Sequence, residues 1–412
     1  MTSYDAKKEF VLKTIRTQRT LFVISALFFM VLSVLGCASN AALLDVHGFS
    51  NLVLHQDALW FGAGYKLYRV DLNQQIATLV YDTKDFVISF VQIDEKNLYF
   101  GGYQTPNRRD GAIWSLDLDS QSIIWKQEFK GNWFTWGGIV IPLLVDEDVI
   151  IVGTRTALHG IDKIDGDVQW EINGPWFGTD RDSLVPVLAN GQLFYGVDEV
   201  GGNGSNSNQA IVIAEPSSGK TLKKISVTGS LESVPGVYGN YMFVKDSQSY
   251  RRDNTGKLQY IGELRLNCID LISGKVIWTY QANGGSESSQ IGFYKGLVLD
   301  AFANQLFAID ARSGTLRWQS PEFEAAARNP QVIEELDVIA LEIPSSNKVI
   351  FVDSANGELR EKEFLSVLSS PVFIGHDMIY AITNAIIRAD IVTGNTIWSI
   401  PVDSQYQIPA DD

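Results

Sequence analysis

Four full copies of an Asp, Gly, Trp hairpin motif, four degenerate copies, and a spacing of 37 to 55 residues between them predict the fold class. The chain reads as all-β, an eight-bladed β-propeller of four-stranded antiparallel blades, because a period near forty residues with strand patterning marks a propeller blade. The template is residues 306–318, LFAIDARSGTLRW. Leu306 to Asp310 read as the end of one strand, Ser313-Gly314 as a tight turn, and Leu316 and Trp318 as one face of the next strand, since strand side chains alternate with period two. Gly314 fits a turn position with positive φ, where a Cβ would clash.

The other copies follow in order. Asp162, Gly166 and Trp170, then Asp270, Gly274 and Trp278, then Asp390, Gly394 and Trp398 match the template Asp310, Gly314 and Trp318 fully. Asp117 and Trp125 match with Gln121 at the Gly position; Asp353 and Gly357 match with Glu361 at the Trp position. Glu215 and Gly219 are followed by Lys223, and Asp71 opens the most degenerate copy. Successive acidic positions lie 46, 45, 53, 55, 40, 43 and 37 residues apart. Two further strand-like runs precede each hairpin, such as residues 139–145 and 149–153, or 372–374 and 378–382, which makes four strands per copy. Eight copies occupy residues from about 42 to 400, so residues 38–412 are expected to form one propeller with no second domain.

The pattern A-x-D-x-x-x-G-x-x-x-W, carried best by Ala308, Asp310, Gly314 and Trp318, resembles the repeat of the pyrroloquinoline-quinone (PQQ)-type propeller family. The resemblance covers the repeat region. It implies that each Trp lies on an outer strand and packs on the neighbouring blade. Burying such a ring removes roughly 150–250 Å² from water, about 4–6 kcal/mol as an upper bound. The copies with Lys223 and Glu361 are expected to lack this contact and to form weaker seams.

The N-terminus is expected to be an export signal. Lys7, Lys8, Lys13, Arg16 and Arg19 precede an uncharged run at residues 21–36, the form of a secretory signal. Val34-Leu35-Gly36-Cys37 resembles the bacterial lipobox, which implies cleavage before Cys37 and acylation of its thiol. Residues 1–37 are therefore read as a signal with lipobox, or alternatively as an uncleaved membrane anchor. Ala38 after the Cys implies an outer-membrane lipoprotein facing the periplasm; the alternative is anchoring in the inner membrane.

Composition narrows the function. A net charge of -15 without a basic cluster excludes nucleic acid as the expected partner. Cys268, in the apolar run LNCIDL, is read as a small packed hydrophobe. His47, His55, His159 and His376 are scattered without ligand spacing, and there is no G-x-S-x-G elbow or Walker-type loop, so no metal and no catalytic residue are expected. Quinoproteins of the resembling family carry a vicinal Cys pair and a Ca²⁺ site of Glu, Asn and Asp; no Cys-Cys pair exists here, and neither PQQ nor Ca²⁺ is expected.

Candidate binding residues then fall to the connections. Trp133, Phe134 and Trp136 lie in GNWFTWGG, and Trp176, Phe177 and Arg181 in NGPWFGTDRD. Both segments lead from an outer strand into the next inner strand, so both are expected on one face near the channel, as sites for a ligand or a partner's extended segment. Residues 104–110, 201–209 and 246–256 read as long exposed polar loops.

A lipobox followed by eight such blades is similar to the lipid-anchored outer-membrane protein assembly factors that share this repeat. That likeness implies a non-catalytic scaffold for an envelope protein complex, with the barrel-assembly machinery as partner and the membrane reached through a lipid anchor. Two alternatives stand beside it: a quinoprotein-like ligand-binding or dehydrogenase propeller, and an envelope propeller that binds another partner or a glycan.

Overall fold

In the computed structural model the described residues are 49–104, 110–131, 144–154, 157–173, 186–198, 209–227, 230–231, 233, 235–252, 258–283, 290–302, 304–364 and 366–402. They form eight antiparallel sheets arranged as an eight-bladed propeller, within a compact unit of His47–Asp412. Blade 1 runs Val53–His55, Ala58–Ala63, Lys66–Asp71 and Ile76–Asp82 in simple order. Blades 2 to 8 span residues 86–129, 144–173, 187–227, 230–283, 292–319, 328–364 and 372–401. Every blade is contiguous in sequence.

The hydrophobic core is divided among the blade interfaces. Strands 2 and 3 of a blade are sandwiched between two neighbours, so both of their faces are apolar, as in ALWFGA at Ala58–Ala63, buried throughout. Successive side chains therefore serve opposite interfaces: Met242 and Val244 join the cluster shared with blade 4, while Phe243 joins the one shared with blade 6. Outer strands keep one solvated face; in Thr396–Pro401 only Trp398 and Ile400 are buried. Among the described residues the ring closes through packing of Trp398, Ile400 and Val402 of blade 8 against Phe49, Leu59, Phe61 and Val70 at blade 1.

The turn between strands 3 and 4 explains the motif's Asp and Gly. Asp310 Oδ1 accepts the Ser313 N–H at 2.9 Å, and the Asp310 carbonyl accepts the Gly314 N–H at 2.9 Å, which brings Gly314 to φ +70°. A one-residue bulge at Ala308/Ile309 precedes it, and blades 2 to 8 all carry a register shift at this place, whereas blade 1 shifts earlier, at Leu67/Tyr68. Gln75 and Gln121 hold the Gly position at φ 57° and 55°. Left-handed backbone costs an L-residue about 1–2 kcal/mol, and the extra backbone entropy of Gly offsets about 0.5–1 kcal/mol of that. Gln121→Gly should therefore stabilise the protein by about 0.5–1 kcal/mol, seen as a higher urea midpoint at unchanged slope.

Two of the expected loops are corrected. Residues 246–256 do not begin as an exposed loop, since Tyr241–Arg252 and Leu258–Asp270 pair from Tyr241↔Asp270 to Arg252↔Leu258, with one register shift between Gln248 and Tyr250. These strands are 12 and 13 residues long, against 6 for each of Leu297–Phe302 and Gln305–Asp310 in blade 6, and Asp246 is buried within the sheet. Gln209, expected to end a polar loop, opens a buried strand and accepts the Leu231 N–H through Oε1. Residues 105–109, 199–208 and 253–257 lie outside the described residues.

Candidate functional site

The Asp, Gly and Trp residues meet at the seams between blades. The indole of one blade lies on the turn Gly of the next: a Cβ added to Gly166 would stand 2.6 Å from the Trp125 ring, at Gly219 2.9 Å from Trp170, and at Gly314 2.7 Å from Trp278. The indole N–H then crosses the seam to a turn carbonyl, Trp125 Nε1 to Lys163 at 3.0 Å, Trp170 to Pro216 at 2.9 Å and Trp278 to Ala311 at 3.1 Å. At these three positions Gly thus serves twice, for its φ and for the ring above it. In blade 2 the tolerated Gln121 follows a blade whose Trp position is Leu79.

The expectation of a weak seam at Lys223 is corrected by this geometry. Lys223 Nζ donates to the carbonyls of Leu271 and Ile272, both at 2.8 Å, and its Cε lies 3.1 Å from where a Gly274 Cβ would be. The aliphatic stem covers the turn and the ammonium takes the place of the indole N–H. Lys223→Met keeps the stem and removes both bonds. It should cost about 1.5–3 kcal/mol, the range for a hydrogen bond to a charged group, measured as a shift in urea midpoint. The side chain of Glu361 lies outside the described residues.

Four of the turn aspartates have their charged form favoured by local hydrogen bonds. A hydroxyl from Ser120, Ser273 or Thr393, together with a turn N–H, holds Asp117, Asp270 and Asp390 below the usual carboxylate range; for Asp310 the leading cause is the Arg317 guanidinium. A carboxylate whose folded pKa is depressed stabilises the fold above its unfolded value, about 3.9, and loses that contribution as pH falls through the folded value. The urea midpoint should therefore drop steadily as pH falls below about 4, with a shallower slope in Asp310→Asn.

A second constellation, unexpected from sequence, lies between blades 5 and 6. Lys245 and Asp300 are fully buried and pair at 2.9 Å, and Lys245 Nζ also donates to the Ala301 carbonyl at 3.0 Å. Next along the strand, buried Asp246 takes Nε and Nη2 of Arg265 in a fork, both at 2.9 Å. Burial raises the Asp246 carboxyl above its usual range, and Arg265 opposes that shift. The two pairs sit where the long hairpin leaves blade 5, which suits a structural role. His159 is likewise interior, with Thr154 Oγ1 3.3 Å from Nε2, Glu171 3.6 Å from Nδ1 and burial lowering its pKa. Cys268 is a free, buried thiol, its pKa pushed up to about 12 by burial, as a packed hydrophobe should be.

Antiparallel order puts the strand 1–2 and strand 3–4 turns on one side of the ring, and the strand 2–3 connections with the blade-to-blade connections on the other. Phe129 pairs with Gly111 and Asn173 with Ala157, so the strands leading to the two aromatic segments end on the same side. Trp133, Phe134, Trp136, Trp176, Phe177 and Arg181 themselves lie outside the described residues, and so does Cys37.

The turn side carries a feature the sequence reading passed over. Two residues after the motif Asp, Ile164, Ile272 and Val392 project at 83%, 78% and 56% exposure. Ile124, Leu222, Ile277 and Ile397, all seven residues after the acidic position, are exposed on the outer strands. Apolar side chains thus recur at equivalent turn and outer-strand places of the rim in several blades. Among the described residues no three His, Cys, Asp or Glu side chains converge as an ion site, and no helix is long and apolar enough to cross a membrane.

The eight blades and their Trp-on-Gly seams define a PQQ-type propeller. The chain belongs to the family described as outer membrane protein assembly factor BamB, whose profile matches residues 176–400. No curated protein sequence matches it significantly. Among solved structures, BamB from Moraxella catarrhalis is similar with a TM-score of 0.56 at 14% identity, over 81% of this chain and 93% of that one. The computationally designed Ika8 protein matches with a TM-score of 0.58 at 8% identity, over 82% and 94%. The dihydro-heme d1 dehydrogenase NirN, in complex with DHE, matches with 0.56 at 12%, over 87% and 74%. At these identities the likeness is one of fold.

Proposed function

We propose that this protein is a non-catalytic scaffold of the cell envelope, a BamB-like factor that holds a component of the outer-membrane barrel-assembly machinery. The observation that carries this reading is the recurrent apolar rim, with Ile164 and Ile272 at its most exposed points. Family membership supports it, because the family's description names outer-membrane protein assembly. In this reading Cys37 bears the lipid, the propeller faces the periplasm from the outer membrane, and no PQQ, Ca²⁺ or nucleic acid is needed.

Affinity purification of the full chain from detergent-solubilised envelopes is the test. A barrel-assembly component should co-purify with the wild type and be lost from a folded Ile164→Asp/Ile272→Asp variant. Recovery of the chain without any such component rejects the reading. Added PQQ and Ca²⁺ should leave the melting temperature unchanged and elicit no dye-linked dehydrogenase activity; a shift or turnover overturns the non-catalytic half.

A further inference from the structure

The seam between blades 6 and 7 departs in two independent ways from the four seams with a cross-seam bond. Trp318 lies on Gly357, its ring 2.4 Å from where a Cβ would stand, yet its buried Nε1 has no acceptor. Trp125, Trp170, Lys223 and Trp278 all donate across theirs. Beside Trp318 opens a cleft of about 720 Å³, lined by residues of both blades including Tyr294, Arg317, Asp337, Ser354 and Arg360. The volume falls in the usual range for small-molecule sites, roughly 300–1,000 Å³.

The second departure is chemical. Seven residues after the acidic position the other six blades carry Thr78, Ile124, Gln169, Leu222, Ile277 and Ile397, whereas blades 6 and 7 carry Arg317 and Arg360. Each guanidinium is pinned by one bond, Arg317 Nη2 to Asp310 Oδ2 at 2.7 Å and Arg360 Nη2 to Asp353 Oδ2 at 2.6 Å. The same carboxylates accept turn N–H groups through Oδ1, Asp310 from Arg312 and Ser313, Asp353 from Ala355. As a result the guanidinium side chains are 57% and 49% exposed and their carboxylates only 22% and 24%. At these two pairs the more exposed partner is the cation, on a protein of net charge -15. Lys295 adds an exposed ammonium; Asp337 opposes it at the cleft edge, 3.6 Å from Lys295 Nζ and 3.2 Å from Tyr294 Oη.

The geometry points to an anion-binding site in this cleft, for a small ligand bearing two or more carboxylate or phosphate groups. Guanidinium has five N–H donors in a fixed fork, so a single bond to its aspartate leaves donors for a bidentate anion. Because each fork is held in place, little side-chain entropy is lost on binding. One Arg from each blade favours a ligand with two charged ends, and the Trp318 and Tyr294 rings can line its body.

Calorimetric titration of the purified full chain at low salt tests this, with pyrophosphate and citrate as probes and acetate as a monoanion control. One-to-one binding of at least one probe is expected, weakened about tenfold or more in each of Arg317→Gln and Arg360→Gln, the loss of about 1.4 kcal/mol that one good charged contact supplies. Tighter pyrophosphate indicates a phosphate ligand, and tighter citrate a carboxylate. Lys126→Gln, an exposed cation in blade 2, should bind as wild type. No saturable binding of either probe, acetate binding as tightly, equal weakening by Lys126→Gln, or unchanged affinity in both folded Arg variants overturns the site.

Discussion

Lys245→Met is expected to destabilise the propeller by about 3–5 kcal/mol, while Lys245→Met/Asp300→Leu recovers most of that loss. Both charges are fully buried and lie 2.9 Å apart. Taking two ions out of water costs nearly as much as their attraction returns, so the intact pair adds little net stability; removing the ammonium alone leaves the buried Asp300 carboxylate without that counter-charge. The Ala301 carbonyl, which accepts from Lys245 at 3.0 Å, loses its donor in the same variant. Filling the space with apolar volume on both sides removes both problems, and the Phe302 ring, 5.1 Å from Lys245 Nζ, offers an apolar neighbour. Urea unfolding of the two variants decides the matter. A single-variant cost under about 1 kcal/mol would mean that the pair behaves like an exposed one.

Trp125→Ala should cost about 3–5 kcal/mol, the range for removing a large buried aromatic. The ring is 8% exposed, lies on Gly166 and packs with Tyr99 at 6.2 Å between centroids. Trp125→Phe separates shape from bonding, because it keeps most of the ring but deletes the 3.0 Å bond to the Lys163 carbonyl. At Trp318 no such bond exists to lose. Phe should therefore be tolerated better at 318 than at 125, by about 1 kcal/mol. Equal costs in urea unfolding would show that the indole bond contributes nothing to the seams.

These expectations show what could be read from sequence. Asp310, Gly314 and Trp318 repeat because one turn geometry and one packing contact recur in the blades, and a recurring physical constraint leaves a recurring residue. Lys223 broke the pattern in letters but not in function, since a long alkyl stem ending in a donor satisfies the same seam. Single-residue matching cannot see such an exchange. The Lys245 and Asp300 pair was illegible for another reason: its members are 55 residues apart and each alone looks like a surface charge. Asp246 misled in the same way, its polar neighbours suggesting a loop where the strand continues to Arg252. The signal for the exposed rim was present in DKIDG, DLISG and DIVTG, where an apolar residue occupies a turn tip that Asn73, Asp119 or Ser217 fills elsewhere. The aromatic candidates from Trp133 to Arg181 lie outside the described residues, and the expectation placed on them stands as made.

Among the described residues no strand is shared across the closing seam, and this bears on how the chain could be rearranged. Phe49 and Val402 belong to the same cluster at the seam between the last blade and the first, so the two ends of the described propeller are neighbours. A peptide joining them would interrupt no sheet of the described residues, and none would be cut by reopening the chain between any other pair of blades. Circular permutants broken after Gln319 or after Phe364 should consequently fold to the same ring. By the same logic the blade is the unit that duplication can add or remove, and such a ring can have grown by whole blades with no sheet left incomplete at its join.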